Sequence, residues 1–144
     1  MGKKFEFEFT PFTFEESQAI ALNLKHSNKV LECIPTAKKL TYKGAELVVA
    51  PHRNDEVKIL RNLGIKAPAP ILHYYKWAGR FDPYDHQKMT AAFLTMNRRA
   101  LVLNEIGTGK TQSALWAADY LISIGAIKKV LIISCISPVL SLAA

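Results

Sequence analysis

The chain has 144 residues, about half of them apolar, and a formal net charge of +7. That length and composition allow one ordinary domain or two small ones, and they exclude wholesale disorder. No apolar run reaches the roughly 18–20 residues of a membrane span. The start, Met1-Gly2-Lys3-Lys4, leads into alternating Phe and Glu rather than an apolar stretch, so it does not read as a secretory signal. Gly2 lacks the downstream Ser or Thr of a myristoylation site, because position 6 is Glu6. These features make a cytoplasmic protein the expectation. Cys33 and Cys135 lie far apart and form no Cys-x-x-Cys pair, and His26, His52 and His73 have no zinc-ligand spacing.

Taken in order, Phe5, Phe7 and Phe9 alternate with Glu6 and Glu8, which predicts a short edge strand. Thr13-Phe14-Glu15-Glu16 has the form of a capping box and predicts a helix over residues 14–25, with Ala19, Ile20 and Leu24 on its buried side. Val30 to Ile34 forms the end of another element, stopped by Pro35. Residues 39–42 and 46–50 flank Lys43-Gly44 and predict a β-hairpin. Asn54 is placed to cap a helix through Val57, Ile59, Leu60 and Leu63, and Gly64 ends it. Residues 1–66 thus form a small α+β module. Ala67-Pro68-Ala69-Pro70 begins a stiff linker over residues 67–80. Tyr74, Tyr75 and Trp77 lie in it and more often pack a joint than stack on bases.

The second block, residues 81–144, reads more clearly. A helix is predicted over residues 85–96, and residues 99–103 form an apolar run of the kind a buried parallel strand shows. A helix follows over residues 111–124, with Ala114, Leu115, Ala118, Leu121 and Ile122 on one side and Gly125 as its cap. Residues 130–134 form a second strand-like run. Strand, loop, helix and strand predict a right-handed βαβ unit with a parallel sheet.

Between the first of these strands and the helix lies Asn104-Glu105-Ile106-Gly107-Thr108-Gly109-Lys110-Thr111, which has the form and setting of a phosphate-binding loop, the Walker A motif. Gly107 and Gly109 let main-chain amides approach phosphate oxygens, and the free amides of the helix start favour an anion. Lys110 supplies a point charge to the β- and γ-phosphates, and Thr111 a hydroxyl to Mg²⁺. Ile106 and Thr108 complete the loop's contacts. Asn104 stands where the general motif has its first Gly.

This loop resembles that of Swi/Snf-like ATPases of helicase superfamily two, where Asn or an acidic residue, then Glu, an apolar residue and Gly precede Gly-Lys-Thr. Phe81-Asp82-Pro83-Tyr84-Asp85-His86-Gln87 resembles the adenine-reading Q motif of the same superfamily. There the Gln amide both donates to and accepts from the adenine edge, a role that falls on Gln87. Bacteriophage DNA helicases are similar in style over residues 84–134. The first block resembles, more faintly, the substrate-recognition module of annealing-helicase-like relatives, which implies contact with duplex or forked DNA through Lys38, Lys39, Lys43 and Arg53.

The resemblance implies an α/β fold, a partial RecA-like P-loop lobe preceded by the α+β module, that binds ATP and Mg²⁺ as the N-terminal part of an ATP-dependent DNA helicase. In a bacteriophage-encoded protein the compartment is the host cytoplasm. The Walker B acids and second-lobe arginines of such motors have no counterpart here. Asp119 is the one acidic residue after Lys110, and no Arg follows Arg99. The expectation is a truncated or frameshifted motor, inactive by itself, with residues after about 134 out of register. The alternatives are a non-enzymatic DNA- or protein-binding module with a vestigial P-loop, and an unrelated P-loop protein such as a small kinase or partition-type ATPase.

Overall fold

The computed structural model describes residues 10–14, 17–24, 27–42 and 44–133. The predicted strand over Phe5–Phe9, Glu15 and Glu16 of the capping box, Lys43 and the tail from Ser134 lie outside them. The first half builds an antiparallel sheet. Strands β1 (Thr10–Phe14), β2 (Ser17–Leu22), β3 (Lys38–Tyr42) and β4 (Ala45–Pro51) are arranged in the order β1-β2-β4-β3. Helix α1 (Ser27–Cys33) connects β2 to β3.

The β3–β4 hairpin forms where Lys43-Gly44 predicts it, with Tyr42 opposite Ala45 and Lys38 opposite Val49. Gly44 turns the chain at φ +79°, a conformation cheap only without a Cβ. The helix expected over residues 14–25 is instead β2, paired with β1 on one side and β4 on the other. Ala19-Ile20-Ala21-Leu22 is a nearly continuous apolar run. In a strand with neighbours on both sides, that run is buried more completely than a helix's single stripe would allow.

Helix α2 (Asn54–Asn62) turns Val57 and Leu60 inward. Asp55 and Glu56 sit in its first turn and Arg61 in its last, matching the helix dipole. Gly64, at φ +82°, ends it. Arg53 occupies the N-cap position, so Asn54 does not cap this helix; its side-chain amide donates to the Thr95 carbonyl at 3.3 Å. The Ala67–Pro70 stretch is packed into the molecule, with Ala67, Ala69 and Ile71 buried. It runs into a single turn, α3 (Ile71–Tyr74).

Helices α4 (Asp85–Met96) and α5 (Lys110–Ser123) lie against each other. One continuous core joins them to the sheet: Ile20 and Leu22 of β2, Val48 and Ala50 of β4, Val57 and Leu60 of α2, Ala91 and Met96 of α4, Trp116 and Tyr120 of α5. Burying each large aliphatic side chain contributes about 1.5–3 kcal/mol. The buried face of α5 is Ser113, Trp116, Ala117 and Tyr120, not the stripe through Ala114 and Ile122. The two large aromatics carry more apolar area than the aliphatics and set the rotation of the helix.

The expected parallel sheet is not formed. Residues 99–103 and 130–133 belong to no strand, and every strand pair among the described residues is antiparallel. Leu101, Leu103, Leu131 and Ile133 are largely solvent-exposed, the last at 87%. A parallel strand is stable only when covered on both faces, and here neither run has a hydrogen-bonded neighbour. The fold is therefore a small antiparallel sheet with helices, and the βαβ, RecA-like assignment does not hold.

Candidate phosphate-binding loop and adjoining groove

The loop over residues 104–111 leads into α5 through Gly109, whose φ of +76° lies in the left-handed region. Gly107 is also left-handed, at φ +82°. The loop closes on itself. The Lys110 ammonium donates to two main-chain carbonyls, Asn104 at 3.0 Å and Glu105 at 2.6 Å. The Thr108 hydroxyl donates to the Glu105 carbonyl at 2.9 Å. Lys110 is thus drawn across the concave side of the loop, with no carboxylate partner among the described residues. Ile106 stands fully exposed at the tip, and Thr111 is exposed in the first turn of α5.

Helix α4 holds the loop from the side. The Gln87 side-chain amide donates to the Thr108 carbonyl at 3.3 Å, and its oxygen accepts the Tyr84 main-chain N–H at 3.1 Å. The second bond is the reach-back half of a capping box, so one residue both caps α4 and anchors the loop. His86 Nε2 approaches the same Thr108 carbonyl at 3.2 Å, which requires the proton on Nε2, and its ring stacks on Tyr84 with centroids 5.7 Å apart. Asn104 donates to the Thr90 hydroxyl at 3.2 Å. The residue that replaces the motif's first Gly therefore ties the loop to α4. Sequence reading missed this contact; Thr90, one turn beyond Gln87 on the same helix, was the available signal.

A Cβ on Gly109 would meet the end of the Gln87 side chain, so the bond from Gln87 to the Thr108 carbonyl is made over a position that carries no side chain. Beside Gln87 opens a groove of about 560 Å³, walled by Arg80, Phe81, Tyr84, Gln112 and Trp116. Phe81 is 78% exposed, with the Arg80 guanidinium 5.6 Å over its ring. Trp116 is buried; its indole N–H donates to the Ala78 carbonyl and its ring meets Trp77 edge-on at 5.6 Å. Tyr75 meets Trp77 and Tyr120 in the same manner, so these aromatics pack the joint to α5.

The structure brings Gln87 together with the loop but leaves the basic DNA-contact candidates apart from it. Lys38 and Lys39 are exposed on β3, where Lys39 donates to Asn28 Oδ1 at 3.2 Å, and Lys43 lies outside the described residues. Arg53 borders a different cleft, lined by none of the hairpin lysines. Among the described residues no cluster of three or more His, Cys, Asp or Glu is placed to hold a metal ion. A cation at Thr111 would need phosphate oxygens and water as its other ligands. No helix of the described residues is long and apolar enough to cross a membrane. Comparison of the chain with protein-family models, with curated proteins and with solved structures finds no match.

Proposed function

We propose that residues 104–111 and Gln87 bind ATP with Mg²⁺, and that the chain is the ATP-binding part of an ATP-dependent DNA helicase or translocase acting in the cytoplasm, the host's if a bacteriophage encodes it. The observation that carries the nucleotide reading is the state of Lys110. Among the described residues, its ammonium is held in the loop by two neutral carbonyls and by no carboxylate. A β- or γ-phosphate entering the concavity replaces those weak acceptors with charged ones, and charge-assisted bonds are roughly twice as strong. The Thr111 hydroxyl, one residue on, would be the protein's ligand to the Mg²⁺ of a bound nucleotide. The groove beside Gln87 has the size and mixed aromatic and amide lining that a purine requires.

The DNA-motor part rests on the resemblance of residues 81–87 and 104–111 to superfamily-two ATPases and on the basic charge of the first block, where Lys38, Lys39, Lys43 and Arg53 would meet phosphates of duplex or forked DNA. The antiparallel sheet favours one further reading, a DNA- or protein-binding module that holds nucleotide without turning it over. Titration with a fluorescent ATP analogue tests the first claim. Lys110→Ala is expected to weaken binding about tenfold or more, the worth of one or two charge-assisted bonds. Undiminished binding removes the reading. Phosphate release with and without DNA separates motor from module.

A further inference from the structure

We infer that the chain forms a two-fold dimer through residues 99–105, paired antiparallel with the same residues of a second copy about an axis at Val102. The segment follows α4 and leads into the phosphate loop. It belongs to no strand, and the main-chain groups of Leu101, Val102 and Leu103 make no hydrogen bond with another described residue. Its side chains alternate. Val102 is half-buried and Asn104 bonds to Thr90 of α4, while Arg99, Leu101, Leu103 and Glu105 are exposed, the two leucines at 76% and 84%. That is the period of an extended edge with one face on α4 and the other open. The groove between the segment and Met89 and Phe93 of α4 holds about 250 Å³, less than a small-molecule pocket needs, so what covers the open face is another surface.

The order of the residues decides what that surface is. Two antiparallel copies centred on Val102 set Arg99 opposite the partner's Glu105 and Leu101 opposite the partner's Leu103. Symmetry makes each pair occur twice. All four residues lie on the open face, and opposite charges or large apolar side chains directly across from one another stabilise an antiparallel ladder. Neither Arg99 nor Glu105 has an ion pair or side-chain hydrogen bond with another described residue. Leu101 and Leu103 of the two copies exchange four main-chain bonds, with the two Val102 residues facing each other between them. The other exposed apolar run offers no such match. Val130–Ile133 follows Lys128 and Lys129, and no acidic residue follows Asp119, so a second copy of that run brings no carboxylate to the lysines. An acidic peptide suits Arg99 but is repelled by Glu105, whereas a second copy satisfies both. The two phosphate loops then emerge at opposite ends of the paired segment. The pairing involves no nucleotide and stands whether or not the loop binds one.

Sedimentation of the full chain over about 1–300 μM, in about 0.15 M salt where repulsion between copies reaches only about 8 Å, tests the inference. A monomer–dimer equilibrium that stops at two copies is expected, because a two-fold contact closes on itself. Arg99→Glu and Glu105→Arg are each expected to weaken it about tenfold or more, since each sets like charges across both pairs. An equimolar mixture of these two variants is expected to dimerise again, because every pair is then opposite in sign, and so is the double variant alone. Leu101→Glu is expected to abolish the dimer with no rescue in either mixture. If circular dichroism shows that a charge reversal does not fold, Arg99→Ala and Glu105→Ala are expected to show a coupled loss, the double variant being no weaker than either single. A chain that stays monomeric, a dimer that resists both reversals, growth beyond two copies, or a mixture that fails to dimerise overturns the pairing. Stronger association by Arg99→Glu, which lowers the net charge, assigns the contact to unspecific apolar surface. Polyglutamate binding that needs Arg99 and leaves the chain monomeric assigns the segment to an acidic partner and overturns the second copy.

Discussion

The Gln87 side-chain amide joins two main-chain groups that lie far apart in sequence, accepting from the Tyr84 N–H at 3.1 Å and donating to the Thr108 carbonyl at 3.3 Å. Gln87→Ala removes both bonds. The variant is expected to lose about 1 kcal/mol of stability, the worth of a helix cap, and several-fold in ATP affinity because the loop is no longer held. Gln87→Glu keeps the cap to Tyr84 but sets a carboxylate against the Thr108 carbonyl. It should retain most of the stability and still bind ATP poorly. Chemical denaturation and nucleotide titration of the two variants separate capping from anchoring.

Gly109 and Gly107 are both left-handed, but only at Gly109 does a side chain meet an obstacle. Gly107→Ala should cost about 1 kcal/mol, the price of the backbone conformation alone. Gly109→Ala also makes the end of the Gln87 side chain swing away and give up its bond to the Thr108 carbonyl, and should cost about 1 kcal/mol more. Adding Gln87→Ala to Gly109→Ala removes the obstacle. The double variant should therefore be more stable than the sum of the singles predicts, a coupling of roughly 0.5–3 kcal/mol read from urea midpoints.

His52 is buried between β4 and the joint, with Nε2 at 3.0 Å from the Pro68 carbonyl and Nδ1 at 2.9 Å from the Tyr74 hydroxyl. The carbonyl can only accept, so the proton sits on Nε2 and Nδ1 accepts from Tyr74. Burial lowers the His52 pKa, the bond to Pro68 partly opposes this, and the neighbouring His73 lowers it further. The unfolded chain therefore takes up a proton on His52 before the folded one does. The stabilising contribution is complete above about pH 6.5 and is lost progressively as pH falls below it toward the depressed folded value. Urea unfolding between about pH 5 and pH 7.5 should show that loss. His52→Gln, which cannot titrate, should flatten it.

Tyr75 donates to Asp119 Oδ2 at 2.6 Å. Burial, followed by the hydrogen bond and the charge of Asp119, pushes its pKa up to about 12. The unfolded value is near 10, so the fold holds this proton more tightly. The contribution to stability is present below about pH 10 and is lost as pH rises through about 12. Ultraviolet titration should show Tyr75 ionising late, along with Tyr74 and Tyr120, whose pKa values burial also raises. Asp119→Asn should lower the Tyr75 midpoint by the part that the bond and charge of Asp119 contribute, leaving the part due to burial.

Where local chemistry decides a structure, the sequence was readable. Gly64 and Gly125 mark the ends of α2 and α5, Lys43-Gly44 marks the hairpin, and the loop over residues 104–111 enters α5 through Gly109. Where distant segments decide, it was not. Residues 17–22 fit an amphipathic helix until β1 and β4 are known to flank them. The runs 99–103 and 130–133 are apolar enough for inner strands, but an apolar run records only a tendency toward burial and not the presence of a cover. Asn54 satisfies the rule for a cap, yet its amide finds Thr95, 41 residues away. The cleft at the ends of α4 and α5 draws on β2, α2 and two helix termini, so no window of sequence contains it.

The uncovered side chains of Leu101, Leu103, Leu131 and Ile133 also bear on how the molecules treat one another in solution. Each molecule presents this apolar surface, which water disfavours, together with a net charge of +7 that keeps copies apart. The balance is set by ionic strength. At about 0.01 M salt the repulsion reaches some 30 Å and holds the patches out of contact, while at 1 M it reaches about 3 Å and leaves them free to meet. Added salt, by shortening the reach of that repulsion, removes the barrier to self-association of the chain.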